Sequence, residues 1–315
     1  MYKDILRLID AHERIIIHRH KNPDLDALGA QAGLKRLIED NFEAKTVKMV
    51  GDENTFRFLA RMDEVEDAFY DGALAIVVDV AVSRLVADER YTRAQTTLVI
   101  DHHRNDTDFA DFCFSYPEHI ATCQLLGDMA MRHGLKVSPD TATYLLGGII
   151  TDSGRFLYPA VNATTFRVSA FLMEQGADLP YLYENLYTED LKFKKLKGHF
   201  INHFKTTKAS VAYMKNTKDL KTMFNVDTFT ISRGMVNQMG GIAGIPMWVN
   251  FTEDDDGSIL CELRSKAIPI VDIAKKYGGG GHDLACGCTL DTWDDADKIL
   301  NDLDTRVNEG GQHHG

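Results

Sequence analysis

The chain has only five cysteines in 315 residues, Cys113, Cys123, Cys261, Cys286 and Cys288. So few, and an odd number, argue against a disulfide framework and fit a reducing compartment such as the cytoplasm. No apolar run approaches the roughly 20 residues that a membrane-spanning helix needs. The opening MYKDILRLIDAHERI lacks the layout of a signal peptide and reads instead as an amphipathic helix, with Ile5, Leu8, Ile9 and His12 at helical spacing. Lysine- or arginine-rich runs are absent and the formal net charge is −12. A protein that tracks long nucleic acid by phosphate contacts carries a basic face, so that class is disfavoured. A phosphate-bearing substrate would have to be short, with local cations overcoming the repulsive field, which points to metal ions. No internal repeat is visible.

What is present is the composition of a soluble globular protein, 44% hydrophobic and 26% charged, long enough for two domains with their own cores. The first half alternates strand-like and helix-like stretches. RIIIH, AKTVKMV, ALAIVVDV and TTLVIDHH read as strands; DALGAQAGLKRLIEDN, NTFRFLARM and TCQLLGDMAMRHG read as helices, the last ending at a glycine. This alternation predicts an α/β fold with a mostly parallel sheet and helices on both faces. After about residue 205 the strands shorten (SVAYMK, MWVNFTED, SILCELRSK) and a glycine-rich stretch, GGGGHDLACGCTL, follows. The expected organisation is a first domain over 1–190, a helical connector over 191–207, a smaller α/β domain over 208–308, and a polar tail over 309–315 outside the fold.

In a parallel sheet, functional groups gather at the carboxyl ends of the strands. His20, Asp24 and Asp26 follow RIIIH, Asp79 ends AIVV, Asp101, His102 and His103 end TLVI, and Asp152 follows YLLGGIIT. Taken singly, each has an ordinary reading: Asp24 or Asp26 as a helix N-cap, Asp79 and Asp152 as turn formers, the His-His pair as a packed or surface feature. Four strand-like or apolar segments that all terminate in acids or histidines point instead to one shared site.

Together, His20, Asp24, Asp26, Asp79, His102 and Asp152 supply four carboxylates and two imidazoles. So many negative oxygens cannot all stay ionised side by side without cations. Two divalent ions about 3.5–4 Å apart, with one aspartate between them, would resolve the crowding and could clamp a phosphoryl group. The oxygen-rich set suits manganese or a similar ion, whereas structural zinc favours a cysteine-rich tetrahedron. Cys286-x-Cys288 is too closely spaced for a zinc pair and reads as structural.

HKNPDLDALGAQ, VVDV, IDHHRND and GIITDSGRF resemble, in order, the four motifs of the DHH phosphoesterase family, and YGGGGHDLACG with CELRSK upstream resembles its DHHA1 domain. Within that family the two-domain length is similar to the nano-RNase group, oligoribonucleases that also remove the 3′-phosphate from pAp, with relatives acting on pApA and cyclic dinucleotides. The resemblance implies that His20 and Asp24 hold one metal, that Asp26, His102 and Asp152 hold the second, and that Asp79 bridges. It further implies that His103 faces the substrate phosphate and that Asp101 orients the histidines. His18 competes with His20, but the family spacing His-x3-Asp-x-Asp fits only His20. A homodimer is also implied. Two departures stand out: DVAVSR has no small hydroxyl residue directly after Asp79, and FSYPEHIATCQLLGDM replaces a serine- and threonine-rich stretch. Neither is expected to touch a metal ligand.

The glycine run lacks the ending of a nucleoside-triphosphate loop, yet glycines let backbone amides approach a phosphate. The resemblance implies that Gly280, Gly281, His282 and Arg264 grip the nucleotide and that this domain closes over the metals. Asn237 and Arg155 are further candidates, Arg155 either for a phosphate or for a surface ion pair. The expected activity is therefore hydrolysis of short nucleotides by in-line attack of an activated water. The rivals are a manganese pyrophosphatase, disfavoured by GGGGH, a membrane-bound cyclic-dinucleotide phosphodiesterase, and a catalytically silent nucleotide-binding regulator.

Overall fold

A computed structural model describes residues 2–53, 56, 61–103 and 109–310. The chain divides into two compact units, 1–188 and 189–315. The division falls after Thr188, so the segment 191–207 expected as a connector lies within the second unit. Most of the helix expected over 54–62 lies outside the described residues.

The first unit runs α1 (Tyr2–Ala11), β1 (Arg14–His18), α2 (Leu25–Asn41), β2 (Thr46–Met49), β3 (Leu74–Val78), β4 (Thr96–Asp101), β5 (Phe112–Ser115), α3 (Thr122–His133), α4 (Pro139–Asp152), α5 (Ala163–Glu174) and α6 (Leu179–Tyr187). Its five strands are all parallel, in the order β2-β1-β3-β4-β5. β3 is apolar and buried along its whole length, as a central parallel strand covered on both faces must be. Ile15, Ile17, Leu74, Ile76, Val78, Leu98 and Ile100 share one core with residues of all six helices. On the opposite face Ala75, Val77 and Val99 pack with Val80, Val86 and Tyr91 from short loops and 3₁₀ turns. Among the described residues, helices cover one face of the sheet and turns the other.

YLLGGIIT, read as an apolar segment ending a strand, is the second half of helix α4. A fully buried helix has no polar face, so its period cannot be told from that of a buried strand. The helix packs on α2 through a seam of small residues. A Cβ on Gly29 would stand 2.5 Å from the Tyr144 carbonyl oxygen, and one on Gly148 would stand 2.4 Å from Cys123 Sγ and 2.7 Å from Asp26 Oδ1. α3 ends as its sequence implies, at Gly134 in the left-handed conformation.

The second unit contains α7 (Leu191–His203), β6 (Lys205–Thr206), β7 (Ala212–Asn216), α8 (Asp219–Phe224), α9 (Thr228–Met235), β8 (Met247–Glu253), β9 (Ile259–Ser265), α10 (Val271–Lys276), β10 (Gly280–His282), β11 (Ala285–Leu290) and α11 (Trp293–Gly310). Its sheet has the order β10-β11-β9-β8-β7-β6, antiparallel except for β7 with β8. One face packs with α10 and α11, the other with α7, α8 and α9. Leu196 and Phe200 of α7 are fully buried in that second core. Cys123, Cys261, Cys286 and Cys288 are free thiols, and Cys286 and Cys288 are core residues. Among the described residues, no helix is long and apolar enough to cross a membrane.

Because Gly29 faces backbone, which cannot swing aside, Gly29→Ala is expected to destabilise the protein by about 1–3 kcal/mol. A thermal melt would register this as a Tm several degrees lower, whereas an unchanged Tm would show that the α2–α4 seam can open without cost.

Candidate metal centre

The carboxyl ends of β1, β3 and β4 lie side by side, and the side chains that leave them converge. His18 closes β1 but turns into the other face, where its ring sits 5.9 Å from that of Tyr70 and 6.1 Å from that of Tyr91. It is fully buried there, which pushes its pKa down to about 4. His20, two residues on, faces the cluster. Its Nε2 lies 3.8 Å from Asp24 Oδ1 and 3.6 Å from Asp79 Oδ2. His102 Nε2 lies 3.5 Å from Asp79 Oδ1, 3.5 Å from Asp152 Oδ2 and 3.9 Å from Asp26 Oδ2. Among the described residues three overlapping groups of donors form, each close enough to hold an ion: His20–Asp24–Asp79, Asp26–His102–Asp152 and, sharing residues with both, Asp79–His102–His103. Asp79 offers one carboxylate oxygen towards His20 and the other towards His102.

Asp79 reaches this position through its backbone. Its N–H continues the ladder by donating to the Ile100 carbonyl, while its φ of +57° turns the chain out of the sheet. Asp is among the few residues that tolerate this left-handed conformation, and such strain is concentrated at functional sites. Asp24 is the N-cap of α2, accepting from the Ala27 N–H at 3.0 Å. Asp152 is the last residue of α4, not the end of a strand. A negative charge there opposes the helix dipole, so it too calls for a cation.

Asp26 is fully buried, and its carboxylate accepts from the backbone N–H groups of Thr122 at 2.7 Å and Cys123 at 2.9 Å. The Thr122 hydroxyl donates to Asp79 Oδ1 at 3.2 Å. The sequence stretch expected not to touch a candidate ligand therefore touches two. Its signal was an absence: α3 begins after Ala121, which has no capping side chain. The free amides of the first turn find their acceptor 96 residues away in sequence. The second departure, Val80, is buried in the core under the turns.

The electrostatics follow from crowding. Burial, Asp24 and Asp79 push the Asp152 carboxyl up to about 7. Burial and the neighbouring Asp79 and Asp152 raise Asp26 well above the carboxylate range despite its two amide donors. Asp24 and Asp79 hold His20 protonated up to about 10. Burial pulls the Asp24 carboxyl upward, but His20 and the Ala27 amide outweigh it and keep it low. His102 is shifted the other way: burial lowers it, so its neutral, ligating form is favoured. The upward shifts of Asp26, Asp152 and His20 all reduce the negative charge of the cluster, as a cation would, and the donor set fits divalent ions of oxygen and imidazole preference.

His103 Nδ1 lies 2.7 Å from Asp101 Oδ1, which also accepts from the His102 backbone N–H at 2.8 Å. Asp101 raises the pKa of His103, and the His103 side chain is half exposed, able to present a charged imidazole to an anion. His103 Nδ1 is also 3.7 Å from Asp79 Oδ1. The RND that completes this motif lies outside the described residues.

The expected substrate residues divide between the units. In the second unit, Arg264, Gly280, Gly281 and His282 line one cleft of about 620 Å³ with Arg233 and Glu262. Gly280 and Gly281 form edge strand β10 paired with β11, and Arg264 lies 3.0 Å from Glu262. Asn237 is exposed on a 3₁₀ turn and is not among that cleft's lining residues. In the first unit, the Arg155 guanidinium lies 5.1 Å from the centre of the Tyr187 ring.

A parallel sheet whose strand ends carry this carboxylate–imidazole cluster is the framework of a metal-dependent phosphoesterase. The chain belongs to the DHH family: residues 14–149 match the DHH family N-terminal domain and residues 211–309 the DHHA1 domain. It is 35% identical over 303 residues to the probable bifunctional oligoribonuclease and PAP phosphatase NrnA of Streptococcus mutans, covering 96% of this chain and 97% of that protein. It is 33% identical over 313 residues to the bifunctional oligoribonuclease and PAP phosphatase NrnA of Bacillus subtilis, covering 98% and 99%. The crystal structure of an exopolyphosphatase-related protein from Bacteroides fragilis shares the fold, with a TM-score of 0.78 at 24% identity over 98% of this chain and 97% of that one. The protein is a DHH-family phosphoesterase, and enzymes of this family use two metal ions.

Two substitutions separate ligation from support. Asp79→Ala is expected to abolish turnover with the fold intact by circular dichroism; a loss of only a few-fold would remove Asp79 from the bridging position. Thr122→Val keeps the two amides on Asp26 but deletes the hydroxyl on Asp79, and should weaken metal binding about 10- to 100-fold by calorimetry without lowering Tm.

Proposed function

We propose that this protein hydrolyses phosphoester bonds of very short nucleotides, with a linear dinucleotide such as pApA or a nano-RNA as substrate, pAp as a related one, and manganese as the metal. The carrying observation is Asp79, whose two carboxylate oxygens face separate donor groups, 3.6 Å from His20 and 3.5 Å from His102. The full-length likeness to two proteins named as oligoribonucleases and PAP phosphatases supports the substrate class.

In this reading His20 and Asp24 hold one ion, Asp26, His102 and Asp152 the other, and Asp79 both. Bound divalent ions would supply Lewis-acid activation of water and neutralise phosphoryl charge. The chain's own contribution is placement. Asp101 fixes the His103 ring and keeps it protonated, so that it can donate to a phosphate oxygen. The amides of Thr122 and Cys123 keep Asp26 aimed inward. In the second unit, Arg264 and the backbone around Gly280 and Gly281 bind a phosphate of the nucleotide, Arg264 exchanging its pairing with Glu262 for that phosphate. The net charge of −12 restricts the substrate to short chains. A cytoplasmic location fits the free thiols.

The test is product release from pApA, cyclic di-AMP, pAp and pyrophosphate, with Mn²⁺ and with EDTA. Manganese-dependent conversion of pApA to AMP with pyrophosphate untouched is the expected result. Turnover of pyrophosphate alone would make it a pyrophosphatase, and nucleotide binding without any turnover a regulator. Arg264→Ala should raise KM for pApA about tenfold or more while sparing a simple phenyl phosphodiester; equal losses on both would exclude it as a substrate grip.

A further inference from the structure

The chain that leaves the metal centre through Asp152 does so in an unusual way. Gly154, Arg155 and Phe156 follow one another with φ of +55°, +61° and +65°. One left-handed residue is enough to end a helix, and glycine or asparagine serves there. Two further such residues with large side chains cost free energy that the surroundings must repay. The turn is held by the Arg155 N–H on the Ile150 carbonyl at 2.8 Å, the Phe156 N–H on Ser153 Oγ at 2.9 Å and the Tyr158 N–H on the Ser153 carbonyl at 3.1 Å. Phe156 is anchored by stacking on Phe166, with ring centres 5.4 Å apart.

This backbone delivers a specific surface. The Arg155 guanidinium lies over the Tyr187 ring, and Tyr187 in turn sits 5.2 Å from Tyr183. Tyr158 stands against Gly154, the residue before Arg155, where a Cβ would come within 2.5 Å of its ring. A cation thus lies over one ring, which is itself in contact with a second. Tyr158 is 56% exposed and Tyr183 37% exposed. Arginine planes and tyrosine faces are what nucleobases stack on, with a tolerance for sequence that hydrogen-bond readout lacks.

We propose that Arg155, Tyr158, Tyr183 and Tyr187 form a nucleobase-stacking subsite on the first unit, three residues along the chain from Asp152, and that Arg155 recognises a base rather than a phosphate. This deepens the short-nucleotide reading and rests on it. The subsite holds the base of a nucleotide whose phosphate is at the metals, which makes a base-bearing dinucleotide a better substrate than a bare sugar phosphate of the same charge.

The experiment uses the full chain with Mn²⁺. Binding of 2-aminopurine riboside 5′-monophosphate is followed by fluorescence, which stacking quenches. Kinetics are measured on pApA and on the analogue lacking the second base. Arg155→Gly removes the guanidinium at a position where glycine suits the backbone; Tyr158→Ala and Tyr183→Ala remove rings; Tyr158→Phe and Tyr183→Phe keep them. The wild type should quench, and the Gly and Ala variants should lose most of the quenching. They should raise KM for pApA about tenfold with little change in kcat, and lose the preference for pApA over the abasic analogue. The Phe variants should behave as wild type. Unchanged quenching in the Gly and Ala variants, or an equal fall in kcat on both substrates, would overturn the proposal, the second outcome reducing the turn to a support for Asp152. Absence of quenching in the wild type would also overturn it and leave the surface to a protein partner. Quenching without hydrolysis of any nucleotide would remove the phosphoesterase substrate reading and leave the subsite standing; hydrolysis indifferent to these variants would do the reverse.

Discussion

The first unit is organised around the repulsion among four carboxylates. Asp24, Asp26, Asp79 and Asp152 converge on His20 and His102, and two of the four, Asp26 and Asp79, have almost no access to water. Burial and the neighbouring acids push the Asp26 and Asp152 carboxyls upward, towards their neutral forms. A fold can tolerate such crowding only where its backbone is rigid enough to hold like charges together until a cation arrives. The apolar parallel strands provide that rigidity. With β3 buried throughout and flanked by β1 and β4, the strand ends cannot splay apart without breaking the ladder.

The helices divide the electrostatic labour unevenly. Two N-termini face the acids: α2 begins at Asp24, and the uncapped start of α3 donates directly to Asp26. Both place partial positive charge beside a carboxylate. Asp152, at the C-terminus of α4, meets the opposite field. The same helix must also pass close to Asp26, and glycine at 148 leaves room for that carboxylate where any side chain would press on it. Packing and electrostatics are therefore set by the same residues, which is why the small-residue seam between α2 and α4 belongs to the site as much as to the core.

The fold class and the cluster of site candidates were readable in the sequence because both are written locally. Strand period is a short-range pattern, and an acid or histidine directly after an apolar strand sits at the sheet's functional edge whatever else the chain does. What was not readable depends on distant partners. Asp152 was placed at a strand end because LLGGII is uniformly buried and so has no amphipathic period. Thr122 and Cys123 were passed over because their acceptor is remote in sequence and the only local sign was an alanine where a capping residue would stand. The glycine run was read for its backbone amides, with no sign that Gly280 and Gly281 form a strand, because that depends on Cys286 and Gly287 being there to pair with them. His18 and His20 would share a face of a continued strand; they differ because β1 ends at His18, which lies near Tyr70 and Tyr91, while His20 beyond the strand faces the acids.

Asp79 shows how narrowly the chemistry constrains the residue. The position requires a left-handed backbone, which glycine would adopt with less strain. Its two oxygens face different donor groups, Oδ2 towards His20 and Oδ1 towards His102; glycine lacks them and asparagine has only one. Glutamate has the oxygens, but its longer chain would carry them past both His20 and His102 and it is less at home at positive φ. Aspartate alone combines a tolerable left-handed conformation with a short carboxylate whose two oxygens face His20 and His102. The N–H that keeps its place in the ladder through Ile100 and the Thr122 hydroxyl that meets its Oδ1 then fix it from both ends. The strain at this residue is the cost of setting one side chain between two donor groups that the sheet itself keeps apart.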